Sequence, residues 1–277
     1  MKRRTVLAAL LASAIMVAAM PVMAMDSLAA IKSAGKLRVA LEFGRPPWGF
    51  KDADLKPAGS DYETAVLLAK DLGVELEIVE VTGPNRVPFL ISNKADVVIS
   101  TFSVTPEREK VVDFSVPYAS AIQYVAAPES LALNNKDDLQ GKRIGVTRGT
   151  TGDTALTKLN VPGIEIVRFD DESTNMTAFA SGQVDIVVQE PAVIKRVAEQ
   201  NPGKRIEQKF MIADFDVGIG MRKGDQPLED AVNTWVKSNL DNGKLNDIYR
   251  KYHGVDLPDK IKLGRVPING VHLRNGM

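Results

Sequence analysis

Residues 100–118 read STFSVTPEREKVVDFSVPY, a row of hydroxyls and an arginine following the apolar run Val97, Val98 and Ile99. Thr105 suits a helix N-cap, Pro106 the first helical position and Glu107 the first turn. A helix starting there would present free backbone N–H groups to an anion, and Arg108 would add a fork of donors matched to a carboxylate. Ser103 supplies a further hydroxyl, and Thr101 stands where the apolar run stops. The chemistry this spacing suggests is capture of an anionic group. The same residues would also serve an ordinary capped surface helix with a solvated arginine.

A second stretch, Arg148-Gly149-Thr150-Thr151-Gly152-Asp153, is another hydroxyl-rich, glycine-flanked helix start, or else a simple turn and cap. Glu190 ends the apolar run 186–189 and could accept a cation such as a substrate ammonium, or be a solvated loop acid before Pro191. An arginine on one wall and a carboxylate on the other would suit a zwitterion. Other chemistry finds little footing. The 277-residue chain has no cysteine, which excludes disulfides, thiol catalysis and thiolate metal sites. Its two histidines, His253 and His272, lie near no candidate nucleophile, and no metal-ligand cluster is evident. A formal net charge of zero argues against a nucleic-acid partner, which would need a basic surface.

The elements that must hold these residues repeat. Residues 36–41 and 142–146 are short apolar strand candidates, each followed by a loop and a helical pattern, over 62–72 and about 153–159. Downstream, Ser92-Asn93-Lys94-Ala95-Asp96 leads into an apolar strand, as does Ser181-Gly182-Gln183-Val184-Asp185. Strands apolar on both faces belong to parallel sheets covered by helices. The expected fold is therefore α/β, with two lobes of similar plan, each an open sheet flanked by helices. Ligands of such sheets sit outside the carboxyl ends of the strands, where Thr101 and Glu190 occupy equivalent places. Residues 123–126 look like one connecting strand and 215–221 like a second crossing, so the hinge has two strands. Helices over about 228–240 and 245–252 then return to the first lobe. The expected division is residues 25–122 with 216–277 as lobe one and 123–215 as lobe two.

Residues 1–24 read as a secretory signal: basic Lys2-Arg3-Arg4, an apolar run from Val6 to Ala19, Pro21, and Val22-Met23-Ala24 at the cleavage spacing. The apolar run is short for a membrane span of about 20 residues. The expected location is the periplasm.

The run from Asp96 through Ser103-Val104-Thr105-Pro106-Glu107-Arg108 to Pro117-Tyr118 resembles the signature of the extracellular solute-binding proteins of family 3. Gly149-Thr150-Thr151, then Asp185 to Glu190, then Asn239 through Gly254 resemble further motifs of that family in its order, and the similarity covers roughly residues 30–255. The resemblance implies a periplasmic-binding-protein-like type II fold that closes on an amino acid and delivers it to an ABC transporter permease. The chain would act as a monomer, with no cofactor or metal and no enzymatic activity. By position, Arg108 would clamp the ligand α-carboxylate with help from Ser103 and Thr151. Thr101 would face the ammonium or the carboxylate, and Glu190, where most relatives carry aspartate, would hold the ammonium.

The first lobe departs from the commonest pattern. Arg45 stands where relatives often place a stacking aromatic, and Gly83 at another apolar clamp position. The stretch from Asn85 to Leu90 is similar to the acidic-amino-acid branch, so Arg45 and Arg86 are candidates for reading a second anionic group, with solvation or pairing to Glu42 as alternatives. Trp48 is either cleft wall or core. Glu42 near the same wall would instead favour a cationic ligand. The implied ligand is a polar, possibly acidic, amino acid. The competing expectation is a cyclohexadienyl dehydratase-like enzyme with Glu190 as general acid. An extracellular sensor module is a third.

Overall fold

The computed structural model describes residues 26–262. The expected signal over 1–24 and the end of the tail, with His272, lie outside these residues.

The strand Lys36–Leu41 pairs in parallel with Glu75–Glu80 along its whole length, and at Val39 and Ala40 with Val97–Val98. A parallel pair needs a crossover, and the helix Ser60–Leu72 supplies it. This helix has Asp61 and Glu63 in its first turn and stops at Gly73, whose φ of 74° lets its N–H reach the carbonyls of Ala69 and Lys70. Much later in the chain, Gly220–Arg222 enters the same sheet between Val97–Val98 and Val112–Phe114, antiparallel to both. Glycine is required there, because a Cβ at residue 220 would lie 2.5 Å from the Phe102 ring.

The second sheet runs Glu165–Phe169, Arg143–Thr147, Ile186–Gln189, Ala119–Pro128, Ile206–Val217. Its first three strands are parallel and the last two antiparallel to their neighbours. Both five-stranded sheets are therefore open and mixed, not wholly parallel. The central strands are still buried on both faces, as their unbroken apolar runs require; Val97, Val98, Ile99 and Ile186 to Val188 are all buried. The helix after Arg143–Thr147 begins at Thr151, earlier than the sequence pattern suggests, because the Thr150 hydroxyl accepts the Asp153 N–H at 3.2 Å.

Ala119–Pro128 and Ile206–Val217 link the two sheets and pair with each other from Ala119↔Val217 to Ile206↔Pro128. The first is longer than residues 123–126 because Ala119, Ser120 and Ala121 find partners in Val217, Asp216 and Phe215. Helix Gln226–Asp241 packs on the first sheet's side, where Val232 and Val236 are buried, Trp235 gives its indole N–H to Asp71 at 2.8 Å, and Asn233 accepts from the Val116 N–H at 2.6 Å. Helix Lys244–His253 follows it. A three-stranded ribbon, Gly44–Arg45, Gly49–Lys51 and Pro57–Ala58, carries Arg45 toward the second sheet. No helix among the described residues is long and apolar enough to cross a membrane.

Candidate functional site

The loop after Val97–Val98 opens on Thr101, whose φ of 45° is unusual for a β-branched residue. Asp61 holds it there. One carboxylate oxygen of Asp61 accepts both the Thr101 N–H at 2.7 Å and its hydroxyl at 3.0 Å, and the other accepts the Tyr118 hydroxyl at 2.8 Å. The Thr101 carbonyl in turn accepts from Arg86 at 3.3 Å. The expectation that Thr101 faces the ligand is thereby corrected: its amide and hydroxyl are committed to a buried carboxylate, and its role is to shape the loop.

Two sheets meet at Arg108. Its guanidinium donates to the Ser103 carbonyl at 2.7 Å and, across the interlobe gap, to the Gly149 carbonyl at 3.3 Å, and lies 4.7 Å over the Phe102 ring. The Ser103 hydroxyl meets the Thr151 hydroxyl at 3.1 Å. Arg108 makes no ion pair among the described residues. Loss of hydration pushes its pKa down to about 9, and the nearby Arg86 and Arg45 push the same way. Since an arginine side chain stays protonated in a protein, that direction registers a charge lacking an anion. The helix-dipole part of the expectation does not hold. Pro106–Glu109 is a single turn, too short to sum many peptide dipoles, and Thr105 already takes the Arg108 N–H at 3.2 Å. Thr150 is corrected likewise: its hydroxyl donates to the Thr147 carbonyl at 2.7 Å and accepts from Asp153, leaving Thr151 as the threonine that meets the other lobe.

Arg45 is buried, 5% exposed, and neither solvated nor paired to Glu42. It bridges to the second lobe, with Glu190 at 2.7 and 3.2 Å, Glu172 at 3.3 Å and Gln189 at 3.0 Å. Burial alone would lower its pKa, but the pull of Glu190, Glu172 and Glu42 outweighs that and raises it. Glu190 thus has one oxygen shared by Arg45 and Gln123, the latter at 2.8 Å, and the other on Arg45. Glu42 pairs with Arg86 at 3.1 Å, and burial lowers the Arg86 pKa despite that pairing. At the apolar clamp position, a Cβ on Gly83 would meet the Thr150 methyl at 3.2 Å and the Arg86 guanidinium at 3.3 Å, so these groups occupy the space. Trp48 is 2% exposed and packs edge-on against His253 and Tyr249, with centroids 4.4 and 5.8 Å away. It belongs to the packing of the first lobe on helix Lys244–His253, not to the wall near Arg108.

The sequence reading missed Asp61, Tyr118, Gln123 and Glu172. Glu172 follows Asp170 and Asp171 and looks like one more acid in a helix cap; Asp171 is indeed the cap, while Glu172 turns inward to Thr147 at 2.8 Å. Burial pushes the Glu172 carboxyl up to about 7, against the pull of Arg45, and burial pushes Asp61 up to about 6. A carboxyl whose value rises from 4.5 in the unfolded chain takes up a proton on folding between those limits, so its contribution to stability falls as pH rises from about 4.5 to 7. Glutamine does not titrate, and Asp61 and the neutral, buried His253 cancel in a comparison. Wild-type stability should therefore drop relative to Glu172→Gln by roughly 2–3 kcal/mol between pH 5 and 7.5. Urea midpoints of the two proteins that keep a constant gap across this range would contradict the assignment.

Two open α/β sheets joined by two strands, with an anion-seeking arginine and paired hydroxyls at their junction, define a two-lobed binding protein. Residues 37–255 match the bacterial extracellular solute-binding proteins, family 3. The chain belongs to that family. It is 33% identical over 230 residues to the L-cystine-binding protein TcyJ of Escherichia coli strain K12, covering 82% of this chain and 86% of that protein. Among solved structures, a mutant of ArgBP from T. maritima superposes with a TM-score of 0.77 at 33% identity, covering 83% of this chain and all of the other. The ancestral amino acid-binding protein AncCDT-1, a precursor of cyclohexadienyl dehydratase, superposes at 0.75 with 31% identity, over 82% of this chain and 100% of that one.

Proposed function

We propose that this protein is the periplasmic substrate-binding component of an ABC importer, acting as a monomer that closes its lobes on a polar amino acid and presents the closed form to a membrane permease. The lobes pivot where the two linking strands cross, near 122/123 and 215/216. The observation that carries this reading is Arg108: a charged guanidinium at the lobe junction whose hydrogen-bond partners among the described residues are carbonyls. A ligand α-carboxylate supplies the missing anion, with the Ser103 and Thr151 hydroxyls beside it. Closure then follows from differential contacts, because the ligand bridges groups that only the closed form brings together. The ligand ammonium goes to Glu190, displacing one of the Arg45 contacts.

Acidic side chains suit the site best. Arg86 and Arg45 add positive potential at Arg108, while Glu172 is close to half-protonated at neutral pH. A displaced Arg45 would meet a side-chain carboxylate. Thermal unfolding with each common amino acid tests this: a ligand that binds only the native state raises the midpoint. Glutamate or aspartate should give the largest rise. A larger rise with glutamine, arginine or cystine would replace the acidic assignment, and no rise with any amino acid would defeat the reading.

The dehydratase alternative has less support. The contacts on both Glu190 oxygens come from donors, Arg45 and Gln123, a setting that suits exchange of one Arg45 contact for a ligand ammonium, itself a donor, better than delivery of a proton to a substrate. Turnover of prephenate or arogenate by the purified protein would reverse that preference.

A further inference from the structure

We propose that Lys260 is a positioning residue for ligand capture: it clamps the linking strand Ile206–Val217 at the pivot and favours the approached lobes, although neither Arg108 nor Arg45 is its partner. The inference rests on the hinge motion proposed above. Residues 255–262 are fixed to the first lobe. Leu257 and Ile261 are buried, the Leu257 N–H donates to Asn246 of helix Lys244–His253 at 2.9 Å, and Asp256 pairs with Arg250 of the same helix. The turn Asp259–Lys262 then sets Lys260 against the strand, where its ammonium lies 2.8 Å from Asp214 and 2.9 Å from Asp216.

The pivot near 215/216 falls between these two carboxylates. Side chains alternate along a strand, so Asp214 and Asp216 share one face while Ala213 and Phe215 share the other. Ala213 and Phe215 pack with Ala155 of helix Thr151–Lys158 in the second lobe. One face of the strand thus belongs to the packing of the second lobe, and the other is held electrostatically from the first. Asp214 also accepts the Ser120 hydroxyl at 2.6 Å. The Asp216 oxygen is buried and receives no well-directed hydrogen bond among the described residues, so the adjacent ammonium is its compensation. Burial alone would lower the Lys260 pKa, but the hydrogen bonds to Asp214 and Asp216 outweigh it and raise it. A cavity of about 320 Å³, lined by Ser120, Ile122, Asp256 and Pro258 among others, lies beside this face and leaves the linking strands room to bend. The restraint reaches the ligand site through the backbone. The Asp216 carbonyl accepts the Val104 N–H at 2.8 Å, and Val217 bridges to Ser103, whose own carbonyl holds Arg108. In this structure the lobes touch, through Ser103 and Thr151 and through Arg45 and Glu190. Rotation at the pivot moves Asp214 relative to Asp216, so that one ammonium no longer reaches both, and opening breaks one ion pair that closure restores.

Asp214→Asn is the direct test. It removes the pair across the pivot, keeps an acceptor for Ser120 and leaves Lys260 on Asp216. The chain has no cysteine, so spin labels can be placed at Lys110→Cys and Asp170→Cys, exposed positions on the two lobes. In the unliganded protein, Asp214→Asn should move the interlobe distance distribution toward longer separations. Calorimetry should find L-glutamate bound about two- to fivefold more weakly, the scale of one partly exposed ion pair. Lys260→Met should weaken it similarly and add nothing further in the double variant. The gap from wild type should narrow at about 0.5 M salt. A merely structural residue would lower the unliganded melting temperature and leave distances and affinity at their wild-type values; that result overturns the clamp, as does full additivity of the two changes. Should Lys260→Met not fold, the Asp214→Asn distances decide, and they decide equally if L-glutamate does not bind. Wild-type lobes held at one separation that no amino acid alters would instead defeat the hinge reading on which the clamp rests.

Discussion

Arg108→Ala should weaken ligand binding by about 2–5 kcal/mol, or roughly 30- to 4,000-fold in dissociation constant, the scale for cutting one member of a desolvated charge pair. The expectation rests on where this arginine is and on what it lacks. It is tied to Ser103 of one lobe and Gly149 of the other through carbonyl oxygens, and no carboxylate among the described residues pairs with it. Because its partners are neutral carbonyls, truncation leaves no internal charge stranded, so the variant should fold with little change in its unliganded melting temperature. Arg108→Lys keeps the charge but loses the planar fork, and should fall between wild type and alanine. Calorimetry that finds wild-type affinity in Arg108→Ala would remove this residue from the ligand site, and with it the reason for reading the junction as a carboxylate trap.

Arg45→Ala should instead lower stability, whether or not ligand is present. Arg45 is the sole ion-pair partner recorded among the described residues for two buried carboxylates, Glu190 and Glu172, and all three are at most 5% exposed. Removing one partner of a buried pair costs about 3–5 kcal/mol, because a charge left behind has neither water nor a counter-ion. That charge is on Glu190, since Glu172, already held near 7 by burial, takes up a proton once the pull of Arg45 is gone. For a chain of this size that is about 6–20 °C in melting temperature. The loss should be partly recovered in Arg45→Ala/Glu190→Gln, where one stranded charge is also removed, and the cycle built with the single Glu190→Gln gives the coupling directly. An unchanged melting temperature in Arg45→Ala would mean that the bridge between the lobes is not formed in solution.

The contrast between these arginines shows how far the sequence can be read. Arg108 is legible because its surroundings are local: an apolar run, then hydroxyls, then Thr105-Pro106-Glu107 at helix-start spacing. The structure brings it together with Ser103 and Thr151 at the junction. Arg45 was placed in the cleft region by position, but its partners were not foreseen, since Glu172 and Glu190 stand 127 and 145 residues away. Nothing in Asp170-Asp171-Glu172 distinguishes the acid that turns inward from the one that caps. Thr101 was misread for a related reason. A strand end in an α/β sheet predicts a ligand-facing residue, but its left-handed backbone turns the amide and hydroxyl onto Asp61, a residue of the helix start behind it.

By itself, the order of residues determined the α/β class, the two-fold repetition of strand, helix and apolar strand, the family, and the arginine that seeks an anion. Those follow from periodicity and from contacts between near neighbours. Only the tertiary structure decided which charges cancel one another. Charge cancellation depends on distance and on exclusion of water, and both are set when ribbon, sheets and helices from remote parts of the chain close around the same few ångströms.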